Sequence, residues 1–149
     1  MLNPQVKLLI NLTAPKKPYF PEAEVKRNNI RYKKIKANTG DYSPSTEAVE
    51  EFKDAVIKFL EKFGSEGDEE IAVVCTYGTN RSGYLICRYL MEVEELDPQE
   101  AIERFEEARG ESFDPNKPFL KSQLLRGLNY CKEKESSETE FQRQRAGAF

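Results

Sequence analysis

The sequence predicts an α/β fold, a central, mostly parallel, twisted sheet flanked by helices. Three observations predict it. Short apolar runs at Val6–Leu12, Ile30–Ile35 and Ile71–Val74 read as strands, and helical periodicities follow them and fill the second half. The third is one of position: Cys75-Thr76-Tyr77-Gly78-Thr79-Asn80-Arg81-Ser82-Gly83 follows the last apolar run and opens a helical pattern. Open α/β sheets usually place ligand-binding loops there, at the carboxyl ends of strands.

The elements follow in order. Val6–Leu12 is a buried strand, and Ala14–Pro21, with three prolines plus Lys16, Lys17 and Tyr19, is loop. Ile30–Ile35 alternates apolar and basic residues and reads as a half-buried strand. The polar stretch Ala37–Ser45 ends in Ser43-Pro44, an N-cap with a first-turn proline. Val49, Phe52, Val56, Phe59, Leu60 and Phe63 recur at helical spacing up to Gly64. After an acidic turn at Ser65–Glu70, Ile71–Val74 reads as a central strand and Ser82–Val93 as the helix behind the loop. Asp97-Pro98-Gln99-Glu100 has the spacing of a capping box, with Ile102, Phe105 and Ala108 as the buried stripe before Gly110. A last helix is expected from Pro118 to Lys132, burying Leu120, Leu124 and Leu128. Residues 1–132 then form one domain and 133–149, polar and charged, a disordered tail.

Composition narrows the chemistry. A chain of 149 residues accommodates one domain, and a net charge of −3 with 33% charged residues does not advertise nucleic-acid binding by the whole-protein field. Three cysteines without regular spacing, and no apolar leader or long apolar stretch, suggest a soluble, intracellular, reducing setting and no membrane, and a monomer is expected. There is no histidine, which removes histidine bases, Cys–His dyads and histidine-ligated metals. With no CxxC pair either, no metal and no cofactor are expected. Acid–base work falls to carboxylates, Tyr, Lys or Cys.

The segment from Cys75 to Arg81 holds the materials for phosphoryl transfer. A loop curling over a helix N-terminus turns its backbone N–H groups inward and adds the positive end of the helix dipole, a cradle for a tetrahedral anion. Thr76, Tyr77, Gly78, Thr79, Asn80 and Gly83 would form that cradle. The same field favours a thiolate at Cys75. Arg81 can make two parallel hydrogen bonds to phosphate oxygens, which lysine could not reproduce. Cys87 and Cys131 read as structural.

Cys75 and Arg81 match the Cys-x5-Arg signature of cysteine-dependent phosphatases, and Asn80-Arg81-Ser82-Gly83 sharpens the match. With Leu9-Ile10-Asn11-Leu12-Thr13, Tyr32-Lys33-Lys34-Ile35 and Ala101-Ile102-Glu103-Arg104-Phe105 through Ala108-Arg109-Gly110, the chain resembles the RNA 5′-triphosphatase branch of that superfamily. That branch includes the triphosphatase domain of metazoan mRNA capping enzymes, the baculovirus RNA phosphatase and the dual-specificity phosphatase associated with RNA–protein complexes. The resemblance implies a phosphocysteine intermediate at Cys75, with Ser82 as the hydroxyl that helps the thiolate leave. Asp41 falls about where other members of the wider superfamily carry a general acid; it is equally readable as a turn residue. Lys17 and Tyr19 fall at a basic–aromatic pair of the branch, and Arg109 and Lys117 are further candidates for RNA or phosphate contact.

Three departures are visible. Val74 stands where the family has histidine, the chain begins at an internal strand of the family fold, and Phe113-Asp114-Pro115-Asn116-Lys117 replaces an arginine-containing loop. The implied function is a metal-independent RNA 5′-phosphatase acting on 5′-triphosphorylated RNA. The alternatives are a dual-specificity phosphatase acting on phosphoproteins, favoured by Asp41, and a weakly active phosphate- or RNA-binding module, made conceivable by Val74.

Overall fold

The computed structural model describes residues 3–13, 22–37, 43–75 and 80–126. Its elements are β1 (Val6–Asn11), α1 (Glu22–Arg27), β2 (Arg31–Lys34), α2 (Thr46–Phe63), β3 (Glu70–Val74), α3 (Asn80–Glu92) and α4 (Pro98–Arg109). Residues 119–126 are also helical. The expectations for Ala14–Pro21, Leu128, Cys131 and the tail after residue 132 lie outside the described residues.

The three strands form a parallel sheet in the order β2-β1-β3. The α/β class is as expected, but the middle strand is not. Among the described residues β1, rather than β3, has a neighbour on each side. Burial agrees with this: Leu9 and Ile10 are fully enclosed, whereas every residue of β3 after Glu70 is half-buried. A strand covered on both faces and paired on both edges reads as continuously apolar.

Side chains alternate across the sheet. Leu8, Ile10 and Leu12 enter the large core with Phe52, Phe59, Leu85, Ile102 and Leu124. Leu9 faces the other way, into a small cluster with Val6, Val25 and Ile30. Val6 and Leu9 share a face despite their odd spacing because the β1–β3 register shifts between Val6 and Leu8. An irregularity of that kind moves the preceding residues to the opposite face.

The helices differ from expectation in four places. α1 is absent from the sequence reading because six residues with one buried side chain, Val25, fall below the length at which periodicity is legible. The N-cap of α2 is Ser45, not Ser43: its Oγ accepts from the Ala48 N–H at 3.2 Å, and Pro44 precedes the cap. α3 begins at Asn80, two residues earlier than read, so Ser82 lies within its first turn. Asp97 caps α4 by position but makes no side-chain cap bond, and Glu100 lies 3.8 Å from Arg104 instead. Ala108 is exposed; the buried stripe is Ala101, Ile102 and Phe105. The glycine stops hold, since Gly64 (φ 79°) and Gly110 (φ 75°) both take the positive φ that ends a helix cheaply only for glycine.

Candidate active site

Parallel pairing brings all three strand ends to one edge. Asn11 lies opposite Lys34 on one side and Val74 on the other, and the Leu12 N–H donates to the Val74 carbonyl at 2.8 Å. Cys75 emerges there, half-buried, and its Sγ lies 3.7 Å from the Ser82 hydroxyl oxygen in the first turn of α3. Arg81, also half-buried, belongs to the same turn. The first N–H groups of a helix have no intrahelical acceptor and carry its positive dipole end. A thiolate at Cys75 can therefore accept from the Ser82 O–H beside an electropositive helix terminus. Thr76, Tyr77, Gly78 and Thr79, between Cys75 and Asn80, lie outside the described residues.

Cys87, further along the same helix, is a different kind of thiol. It is fully enclosed, its Sγ 3.6 Å from the Ala101 carbonyl oxygen. Burial, with the Glu106 charge adding to it, pushes its pKa up to about 12. It is held as a neutral packing group, as expected.

Gly83 lets the rest of the molecule approach this turn. A Cβ added there would sit 2.7 Å from Phe105 Cε1 and 2.8 Å from Phe113 Cζ. The two rings, with centroids 5.2 Å apart, press on α3 at Gly83, next in the chain after Arg81 and Ser82.

The turn carrying Phe113 is fastened to the site as well. The Asp114 N–H donates to Asn80 Oδ1 at 3.2 Å, and the Phe113 N–H donates to Glu106 Oε1 at 3.0 Å. Lys121 reaches the same Glu106 oxygen at 2.9 Å. Partial burial would raise the Glu106 pKa, but the Phe113 N–H and the Lys121 ammonium outweigh it and hold the carboxyl below its usual value. The Asn116 and Lys117 N–H groups close the turn onto the Asp114 side chain (2.9 Å) and carbonyl (3.0 Å). Neither Glu106 nor Asp114 stood out as a site residue in the sequence.

A second polar cluster lines the carboxyl edge of the sheet. Asn11, 1% exposed, donates to the Tyr32 hydroxyl at 2.9 Å and accepts from the Thr13 N–H and O–H at 2.9 and 2.6 Å. The Lys34 ammonium donates to the Thr13 carbonyl, and burial lowers its pKa. The cluster fixes where the chain leaves β1. Its sequence signal was a lone amide inside an apolar run, since a buried amide needs partners.

Arg109 folds back over the Phe105 ring at 6.0 Å, with Glu111 3.9 Å away, in a groove between α3 and α4 shared with Ile86 and Leu90. Lys117 is in the turn fastened to Asn80. Lys17, Tyr19 and Asp41 lie outside the described residues. Among the described residues no group of three or more Cys, Asp or Glu could hold a metal ion, and no helix is long and apolar enough to cross a membrane.

A parallel sheet delivering a thiol to the N-terminus of a helix whose first turn carries Arg and Ser defines a class of phosphate-handling α/β proteins built on cysteine. The chain belongs to the family described as dual specificity phosphatase, catalytic domain, which matches residues 1–127. It is 41% identical over 112 residues to a tyrosine-protein phosphatase of Autographa californica nuclear polyhedrosis virus, covering 75% of this chain and 64% of that protein. It is 43% identical over 108 residues to the human RNA/RNP complex-1-interacting phosphatase, covering 72% of this chain and 32% of that one. The chain thus spans just under two thirds of the viral relative and about one third of the human relative. The crystal structure of PTPMT1 shares the fold, with a TM-score of 0.60 at 18% identity over 87% of this chain and 82% of that one. The relatives fall in the branch that the sequence resembles.

Proposed function

We propose that the chain is a cysteine-dependent phosphatase that removes the terminal phosphate of 5′-triphosphorylated RNA without a metal. The observation that carries the chemistry is Cys75 at the end of β3, with its Sγ 3.7 Å from the Ser82 hydroxyl at the start of α3. The thiolate attacks the γ-phosphorus in line, forming an S–P bond as the P–O bond to the bridging oxygen breaks. The electron pair leaves on that oxygen with the diphosphate end. Arg81 pairs with the equatorial oxygens as charge spreads over them. Water then attacks the phosphocysteine, phosphate departs, and the Ser82 O–H donates to the returning thiolate.

The RNA preference is supported by the Asn80-containing segment and flanking strings that the chain shares with the RNA-directed branch. Release of γ-labelled phosphate from triphosphorylated RNA in a chelating buffer tests it. Turnover that prefers the RNA over phosphopeptides is the expected result. A preference for phosphopeptides would overturn it in favour of the dual-specificity protein phosphatase, and binding without turnover would favour the weakly active module.

Asp41 gives the protein-directed reading its specific support, because an acid near the leaving oxygen helps phosphomonoesters more than triphosphates. A diphosphate leaving group needs little protonation. If Asp41 is that acid, Asp41→Asn lowers turnover of an alkyl phosphate or phosphoserine peptide by about 10²–10⁴-fold. Release from triphosphorylated RNA then changes little. An equal effect on both substrates, or on neither, sinks the role of Asp41.

A further inference from the structure

We infer that Glu106, on α4, is a positioning residue for the phosphate cradle, acting through the Phe113–Lys117 turn on Asn80, the neighbour of Arg81. The inference rests on Cys75–Arg81 being the phosphate site. Two successive backbone N–H groups of the turn are each held by a side chain from a different helix. Phe113 donates to Glu106 of α4, and Asp114 donates to Asn80 at the start of α3. Lys121 closes the arrangement from the other side by donating to the same Glu106 oxygen.

The turn is stiff, because Asp114 accepts from both the Asn116 and Lys117 N–H groups. Its Phe113 ring lies against Gly83. One rigid piece therefore touches Asn80 and Gly83, the residues on either side of Arg81 and Ser82. A residue at the first position of a helix has no preceding turn to restrain it. The brace supplies that restraint, and transition-state hydrogen bonds depend on donors already in place. Glu106 itself binds the Phe113 N–H and Lys121 and acts through the turn.

The test compares Glu106→Leu, which removes the acceptor, with Glu106→Gln, which keeps an oxygen for the Phe113 N–H. Val25→Ala, in the small cluster beneath β1, serves as a control for plain loss of stability. Steady-state kinetics on an aryl phosphate and calorimetric binding of inorganic phosphate are read well below each variant's melting temperature. In Glu106→Leu, kcat is expected to fall about tenfold, with phosphate binding weakening and KM for the aryl phosphate rising by similar factors. Glu106→Gln stays within about twofold of the wild type on both readouts, the loss of charge leaving the acceptor in place. Val25→Ala lowers the melting temperature and moves neither.

A Glu106→Leu variant that behaves like Val25→Ala, or a Glu106→Gln variant that loses as much as Glu106→Leu, overturns the inference. If Glu106→Leu does not fold, Glu106→Asp decides, since a carboxylate one methylene shorter draws back from the Phe113 N–H. A loss of about threefold supports the brace and no loss overturns it. If the wild type binds phosphate but turns over neither an aryl phosphate nor triphosphorylated RNA, the catalytic reading fails and phosphate binding alone decides the brace. A wild type that binds no phosphate overturns both.

Discussion

Cys75→Ser is expected to lower turnover by about 10⁴-fold or more on any substrate, while inorganic phosphate still binds. The size of the loss follows from what the chain lacks. A serine hydroxyl needs a base to become a nucleophile, and the sequence contains no histidine to supply one. The thiolate needs only an electropositive setting, and the N-terminus of α3 with Ser82 3.7 Å away is such a setting. Phosphate binding survives because Arg81 and the start of α3 are untouched. Rapid quenching of the wild type with labelled substrate is expected to trap label on Cys75. Activity in Cys75→Ser within tenfold of the wild type would move the nucleophile elsewhere.

Gly83→Val is the substitution expected to cost most in stability at the site. A Cβ at that position already lies under 3.0 Å from both Phe105 and Phe113, and valine adds two methyl groups. The rings are packed on one another at 5.2 Å, so neither has an easy way to yield. Overpacking of this kind costs about 3 kcal/mol, corresponding to a drop of roughly 6–12 °C in melting temperature for a chain this long. Gly83→Ala is milder, because alanine returns about 1 kcal/mol of helix propensity. The valine variant also displaces Phe113, so turnover is expected to fall even below the new melting temperature. A calorimetric scan together with kinetics on an aryl phosphate checks both effects. A melting temperature within 2 °C of the wild type would mean the rings move aside at little cost.

Residues close together in the chain were legible; residues brought together by folding were not. Cys75, Arg81 and Ser82 share one short segment, so the thiol, guanidinium and hydroxyl could be read from it without a structure. The glycines after α2 and α4 marked helix ends for a local reason, the positive φ of Gly64 and Gly110. Strand order was misread because apolar runs look alike, and which run lies in the middle depends on pairings across the whole chain. Ala108 was placed in the core by spacing alone, although small apolar residues sit on surfaces as readily. The Asn80–Asp114 contact had no signature at all. It spans 34 residues and uses a backbone N–H, a group that nearly every residue carries.

The position of β1 also bears on how the molecule is made. The middle strand leaves the ribosome before either of its neighbours, and β2 follows closely enough to pair with it early. The other edge stays open until β3 has been synthesised, about sixty residues later in the chain. At ~5–20 residues per second that is a wait of several seconds, during which an apolar strand has an unpaired edge. The thiol and its helix follow at once behind β3, so Cys75 is synthesised just as the described strands can all pair.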